Sequence, residues 1–152
     1  MKKAGKMERK RDDVRIRIRV IGVVENRVKK PLGQEAFSGE VSVITVFPEF
    51  SEGLYRIEEH RYLDILFHFH LEKGYSLRDH HFSGEEVGVF ASRSPRRPTG
   101  IGVTTVRLEK RMGNRLLVRG LDAVDGTPVL DIKPSVNIFN EEEKRIIKGE
   151  KA

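Results

Sequence analysis

Apolar residues in this chain fall in short bursts separated by turns rich in Gly, Pro, Asp and Asn. Across residues 14–24 the pattern begins as strict alternation, with Arg15, Arg17 and Arg19 set against Ile16, Ile18 and Val20. A period of two predicts a half-buried strand. Residues 41–47, β-branched and apolar, predict a second strand, and residues 63–71 a third. Between them, Phe50, Leu54 and Ile57 share helical spacing, so residues 50–59 predict a short helix with Ser51 as its N-cap. Residues 29–39 and 75–86 predict irregular connections. Residues 87–92 predict a fourth strand and residues 101–110 a fifth. In the fifth, the apolar phase slips between Val103 and Val106, which predicts a β-bulge. Met112-Gly113-Asn114 marks a hairpin turn into a sixth strand over residues 115–121. Asp125-Gly126 is a further turn, followed by a short seventh strand over residues 129–133. Residues 140–148 are a charged helix candidate capped by Asn140.

Many short strands with few helices argue for an all-β barrel or sandwich. A length of 152 residues suits one domain with one core. The expected division is a basic flexible tail over residues 1–13, a single folded domain over 14–138, and a charged tail or short helix over 139–152. No apolar run approaches the ~18 residues of a membrane span, and the basic N-terminus is not followed by the apolar stretch of a secretory signal. Zero cysteine removes disulfides, thiolate metal sites and a cysteine nucleophile, and fits a reducing cytoplasm. The formal charge of +6 favours anionic partners, nucleic acid first. Arg15, Arg17 and Arg19, about 6.6–6.8 Å apart on one strand face, are spaced to follow a phosphate backbone. Edge protection against strand-to-strand aggregation explains them equally simply.

Two segments carry most of the chemical signal: residues 88–103 (GVFASRSPRRPTGIGV) and residues 121–134 (LDAVDGTPVLDIKP). Each is an apolar strand running into a turn dense in Gly, Pro, Ser, Asp and Arg. Loops of that kind on a strand scaffold are where binding and catalysis concentrate. Neither contains a G-x-G-x-x-G, and no alternating βαβ pattern surrounds them, so a Rossmann-type nucleotide site is not indicated.

Together, and in this order, the two segments resemble the TsaA-like family, the barrel-shaped S-adenosylmethionine-dependent tRNA methyltransferases of the TrmO type. Gly88, Val89, Phe90, Ala91, Arg93, Ser94, Arg97, Pro98, Ile101 and Gly102 match the first family motif. Leu121, Asp122, Asp125, Gly126, Thr127, Pro128, Val129, Asp131, Ile132, Lys133 and Pro134 match the second. The resemblance runs from about residue 18 to about 136 and implies a barrel. It implies a cofactor groove touching His70, Leu71, Arg93, Val103, Asp122 and Asp125, the family often having Gln where Leu71 stands. It also implies tRNA as partner, a homodimer whose groove the second subunit completes, and methyl transfer to N6 of threonylcarbamoyl-modified adenosine beside the anticodon. Asp122, Asp125 and Asp131 are the carboxylates within the motifs and so the candidates for a general base. Arg97 and Lys133, with Arg15, Arg17 and Arg19, are the candidates for substrate or RNA contacts.

The sequence also departs from the family. Its R-P-N-P-I-G is Arg97-Pro98-Thr99-Gly100-Ile101-Gly102 here, and its K-P-Y ends in Ser135. These changes keep a non-catalytic RNA-binding barrel in play. The pair His68 and His70, with Asp79-His80-His81 downstream, raises a cupin-like metal enzyme as a third reading.

Overall fold

A computed structural model describes residues 14–30, 40–80 and 83–136. Among these residues eight strands form: β1 Gly22–Glu25, β2 Val41–Val46, β3 Tyr62–His68, β4 Arg78–His80, β5 Glu86–Gly88, β6 Ile101–Met112, β7 Arg115–Arg119 and β8 Pro128–Pro134. Six close into a barrel in the order β1-β2-β7-β6-β3-β8, while β4 and β5 form a separate two-stranded ribbon. Every barrel pair is antiparallel. Of the barrel or sandwich that the pattern predicts, the barrel that the resemblance implies is the fold.

The alternation explains the core. Inward positions Val24, Ile44, Val46, Leu63, Ile65, Phe67, Val106, Leu116, Val118 and Val129 are all buried. Each such side chain contributes about 1.5–3 kcal/mol by leaving water. Ser42 and Thr127 are the buried polar side chains among the described residues, and both have hydrogen-bond partners. Thr127 Oγ1 donates to the Val124 carbonyl at 2.6 Å, and Asn26 Nδ2 donates to Ser42 Oγ at 3.0 Å. β1 lies close against β2: a Cβ on Gly22 would come within 2.4 Å of the Thr45 carbonyl oxygen.

Several local expectations are corrected. The first strand covers only Gly22–Glu25; residues 14–20 form no strand and are exposed throughout. Alternation alone supplied half of a ladder, and among the described residues no neighbouring strand lies alongside. The helix over 50–59 is instead two 3₁₀ segments, Pro48–Leu54 and Ile57–Glu59, broken by Arg56 at φ 67°. Ser51 lies inside the first of them, and its hydroxyl donates to the Pro48 carbonyl at 2.8 Å. The expected fourth strand stops at Gly88 and becomes a single 3₁₀ turn, Val89–Ala91. The connection before it contains β4, whose Arg78 pairs with Glu86 at 3.1 Å. The bulge is not between Val103 and Val106, where β6 stays in register with β3. It lies between Leu108 and Lys110, against β7. The charged segments 1–13 and 139–152, Pro31 and its neighbours to 39, and His81 lie outside the described residues.

Candidate functional site

The phase slip in β6 has a cause other than a bulge. Gly102, Thr104 and Val106 face inward, so Ile101 and Val103 face out, and Val103 is exposed. Apolar side chains outside and a hydroxyl inside mark this end of β6 as a wall of something other than core. A cleft of about 460 Å³ opens there, within the 300–1,000 Å³ typical of small-molecule sites.

The cleft unites the two motifs. From the first come Phe90, Ala91, Ser92, Arg93 and Arg97; from the second comes Asp122; β6 contributes Ile101 to Thr104, and Phe67 and Phe69 form the remaining wall. Phe67 and Phe69 meet edge to face with ring centroids 5.2 Å apart. Gly102 makes that wall possible, because a Cβ there would lie 2.7 Å from both ring tips. Phe90 is 80% exposed, an aromatic ring held at the cleft by its short turn.

Hydrogen bonds fix the polar groups. Thr104 Oγ1 donates to Asp122 Oδ1. Arg93 donates to the Val103 carbonyl, which leaves most of its guanidinium donors for another acceptor. Arg97 braces its own loop, donating to the Ser92 and Ser94 carbonyls at 2.8 and 3.2 Å. Asp79 steadies the same loop: the Ser94 hydroxyl, and then the His80 backbone N–H, hold its carboxyl below the ordinary aspartate value.

The other carboxylates lie elsewhere. Asp125 Oδ1 accepts from the Asn26 backbone N–H at 2.9 Å, and Oδ2 takes the Lys29 ammonium at 2.6 Å. Asp125 thereby fastens its turn, with Gly126 at φ 84°, to the chain leaving β1. Lys29 first, and the Asn26 N–H second, hold the Asp125 carboxyl below the ordinary aspartate value. A depressed folded-state value means the clasp contributes fully above the ordinary aspartate range and is lost as pH falls through the lowered value. Thermal melts of the wild type should therefore show an acid limb below about pH 4 that Asp125→Asn flattens. With Lys29 69% exposed, the difference should be at most about 1 kcal/mol. An identical acid limb in both proteins would show that the clasp carries no stability.

Asp131 pairs with Lys133 at 2.6 Å and lines a separate groove. His70 and Leu71 sit in the turn after β3 and line neither cleft, with Leu71 exposed. Because β3 ends at His68, the two histidines share no strand face, and no group of metal-ligating side chains comes together among the described residues. His68 instead places Nδ1 3.1 Å from the Gly100 carbonyl oxygen. Gly100 has φ 63°, a conformation closed to the proline that the family pattern carries there. Arg15, Arg17 and Arg19 lie on the exposed segment before β1, away from the cleft.

Of the candidate residues, Arg93, Arg97, Val103 and Asp122 line the cleft, beside Ser92, Thr104, Phe69 and Phe90, which were not among the candidates. The signal for Thr104 was present in the phase slip, misassigned to a bulge.

The chain as a whole is similar to known proteins. The family described as tRNA-methyltransferase O N-terminal domain matches residues 22–141. A probable S-adenosyl-L-methionine-binding protein of Pyrococcus abyssi is 43% identical over 130 residues, covering 82% of this chain and 71% of the relative. The mouse tRNA (adenine(37)-N6)-methyltransferase is 40% identical over 95 residues, covering 60% of this chain and 22% of the relative. The crystal structure of TrmO from Pseudomonas aeruginosa superposes with a TM-score of 0.68 at 32% identity, covering 84% of this chain and 59% of the other. The chain therefore spans less than two thirds of that solved protein and under a quarter of the mouse enzyme. No helix among the described residues is long and apolar enough to cross a membrane.

Proposed function

The chain belongs to the tRNA-methyltransferase O N-terminal domain family, and from that membership we propose that it transfers a methyl group from S-adenosylmethionine to an adenine nitrogen of tRNA. The observation that carries this reading is the meeting of Arg93 and Asp122, one from each motif, in the wall of one cleft, each hydrogen-bonded to β6.

The cleft suits the cofactor by its donor set. Asp122, steadied by Thr104, offers a carboxylate for ribose hydroxyls. The free guanidinium donors of Arg93 suit a carboxylate end. The faces of Phe69 and Phe90 suit an aromatic ring or a sulfonium. The cofactor supplies a methyl group on a sulfonium that is already a good leaving group. The protein's share is therefore positioning and electrostatics. An amide-like adenine nitrogen must shed a proton, and Asp122 is the carboxylate lining the cleft that can accept it. Lys133 and Asp125, occupied with Asp131 and Lys29, are outside this assignment.

The finer reading is that the acceptor is N6 of adenosine already carrying a threonylcarbamoyl group, that the protein works in the cytoplasm, and that it acts as a homodimer. A modified base offers a carboxylate, and Arg97, which lines the cleft, carries donors of the kind that suit it. The test is methyl incorporation into tRNA with and without prior threonylcarbamoylation, beside calorimetry with S-adenosylmethionine. Micromolar-range binding lost in Arg93→Ala, and incorporation into the modified tRNA alone, are expected. Equal incorporation into both tRNAs would remove the acceptor assignment. tRNA binding with no affinity for the cofactor would leave an RNA-binding barrel without catalysis.

A further inference from the structure

The closed barrel has one short seam. β1 pairs with β8 only through Gly22–Val129 and Val23–Pro128, with one further bond from the Ile21 N–H to the Val129 carbonyl. β8 runs on to Pro134, paired with β3 on one side. On its other side, among the described residues, no strand follows it past Val129. The Ile132 N–H donates instead to the Asp131 carboxylate at 2.9 Å. Beside this free edge lies a groove of about 390 Å³ with Ile21, Phe50 and Ile132 in its wall and Glu49, Glu52 and Asp131 around them. Glu49 and Glu52 have no ion pair among the described residues.

Residues 14–20 are the complement of that groove. They have the alternation and β-branched content of a strand but, among the described residues, no strand partner. Ile16 is 80% and Ile18 54% exposed, and Arg15, Arg17 and Arg19 have no ion pair among the described residues. One molecule thus shows an unpaired, apolar-and-cationic strand sequence and an unpaired, apolar-and-acidic strand edge.

We propose that residues 14–20 of one copy dock as an added strand on the β8 edge of a second copy, reciprocally. The isoleucines enter the groove, and the long arginine side chains on the strand's other face reach back to Glu49 and Glu52 at its margin. Backbone bonds to the edge supply affinity and the alternating side chains supply specificity, the logic of strand addition. Two identical arms and two identical edges close a two-fold pair and leave neither exposed. This deepens the homodimer reading and reassigns the three arginines from phosphate to protein contacts.

The full chain has no cysteine, so single cysteines report position cleanly. Arg17→Cys and Glu52→Cys chains, one bearing a size tag, are mixed and treated with a short bis-maleimide. The expected product is the mixed cross-linked pair. In sedimentation, Ile16→Glu with Ile18→Glu should weaken the dimer by about a hundredfold or more, the loss of two buried isoleucines. Glu49→Lys with Glu52→Lys should weaken it too. A dimer unaffected by either pair of substitutions would overturn the arm exchange while leaving the homodimer standing, and a monomeric wild type would overturn both. A cross-link formed only within a chain carrying both cysteines would assign the groove to its own arm. An arm whose arginine-to-glutamine variant flattens the salt dependence of tRNA binding, with no effect on the dimer, would return it to the phosphate backbone. Methyl transfer enters none of these readouts.

Discussion

Asp122→Asn is expected to weaken S-adenosylmethionine binding by about 10- to 100-fold, the worth of a hydrogen bond to a charged group at about 1.5–3 kcal/mol. The amide oxygen can still accept from Thr104, so the wall of the cleft keeps its hydrogen bond. What is lost is the charge, the property that suits a ribose hydroxyl and a departing proton. Asp125→Asn and Asp131→Asn should leave binding unchanged, because those carboxylates are committed to Lys29 and Lys133 outside the cleft. Calorimetry on the three variants makes the comparison. If Asp125→Asn weakened binding as much as Asp122→Asn, the site would have to be moved to the turn near β1.

Gly102→Ala should be the most damaging methyl that can be added to the barrel wall at the cleft. Its Cβ would stand 2.7 Å from the Phe67 and Phe69 ring tips. Phe67 is buried and cannot swing away, so the strain must pass to β3 or break the edge-to-face pair. The expected loss is about 3 kcal/mol or more, the upper end of overpacking costs, together with loss of cofactor binding. Chemical denaturation reads the first and calorimetry the second. Gly53→Ala, where a Cβ meets nothing within 4 Å, is the control. Stability in Gly102→Ala equal to that of the control would mean the two rings are loosely held.

The two motifs were legible in the sequence because each is a turn whose residues must be what they are. Asp125-Gly126 needs a left-handed glycine, and the Ser-rich loop after Gly88 satisfies its own backbone through Ser92 and Arg97. Local chemistry of this kind survives without knowledge of neighbours. The division of labour among the aspartates was not legible. Asp122 and Asp125 are three residues apart in similar company, yet one faces the cleft and the other clasps Lys29 across a separation of 96 residues.

By itself the sequence determined an all-β chain with a buried alternating face, the hairpin at Gly113, and the loops that carry chemistry. Period-two patterning and turn residues are properties of neighbours along the chain. Only the tertiary structure decided which alternating segments found a partner. Residues 14–20 have the pattern of a strand and no ladder among the described residues, whereas β4 has little pattern and pairs with β5. It alone decided that the slip in β6 was a hydroxyl turned inward toward Asp122. The reason is physical: a strand exists by hydrogen bonds to another strand, and a cleft by side chains from several. Both depend on closure of the barrel, which brings residue 22 beside 129 and residue 104 beside 122.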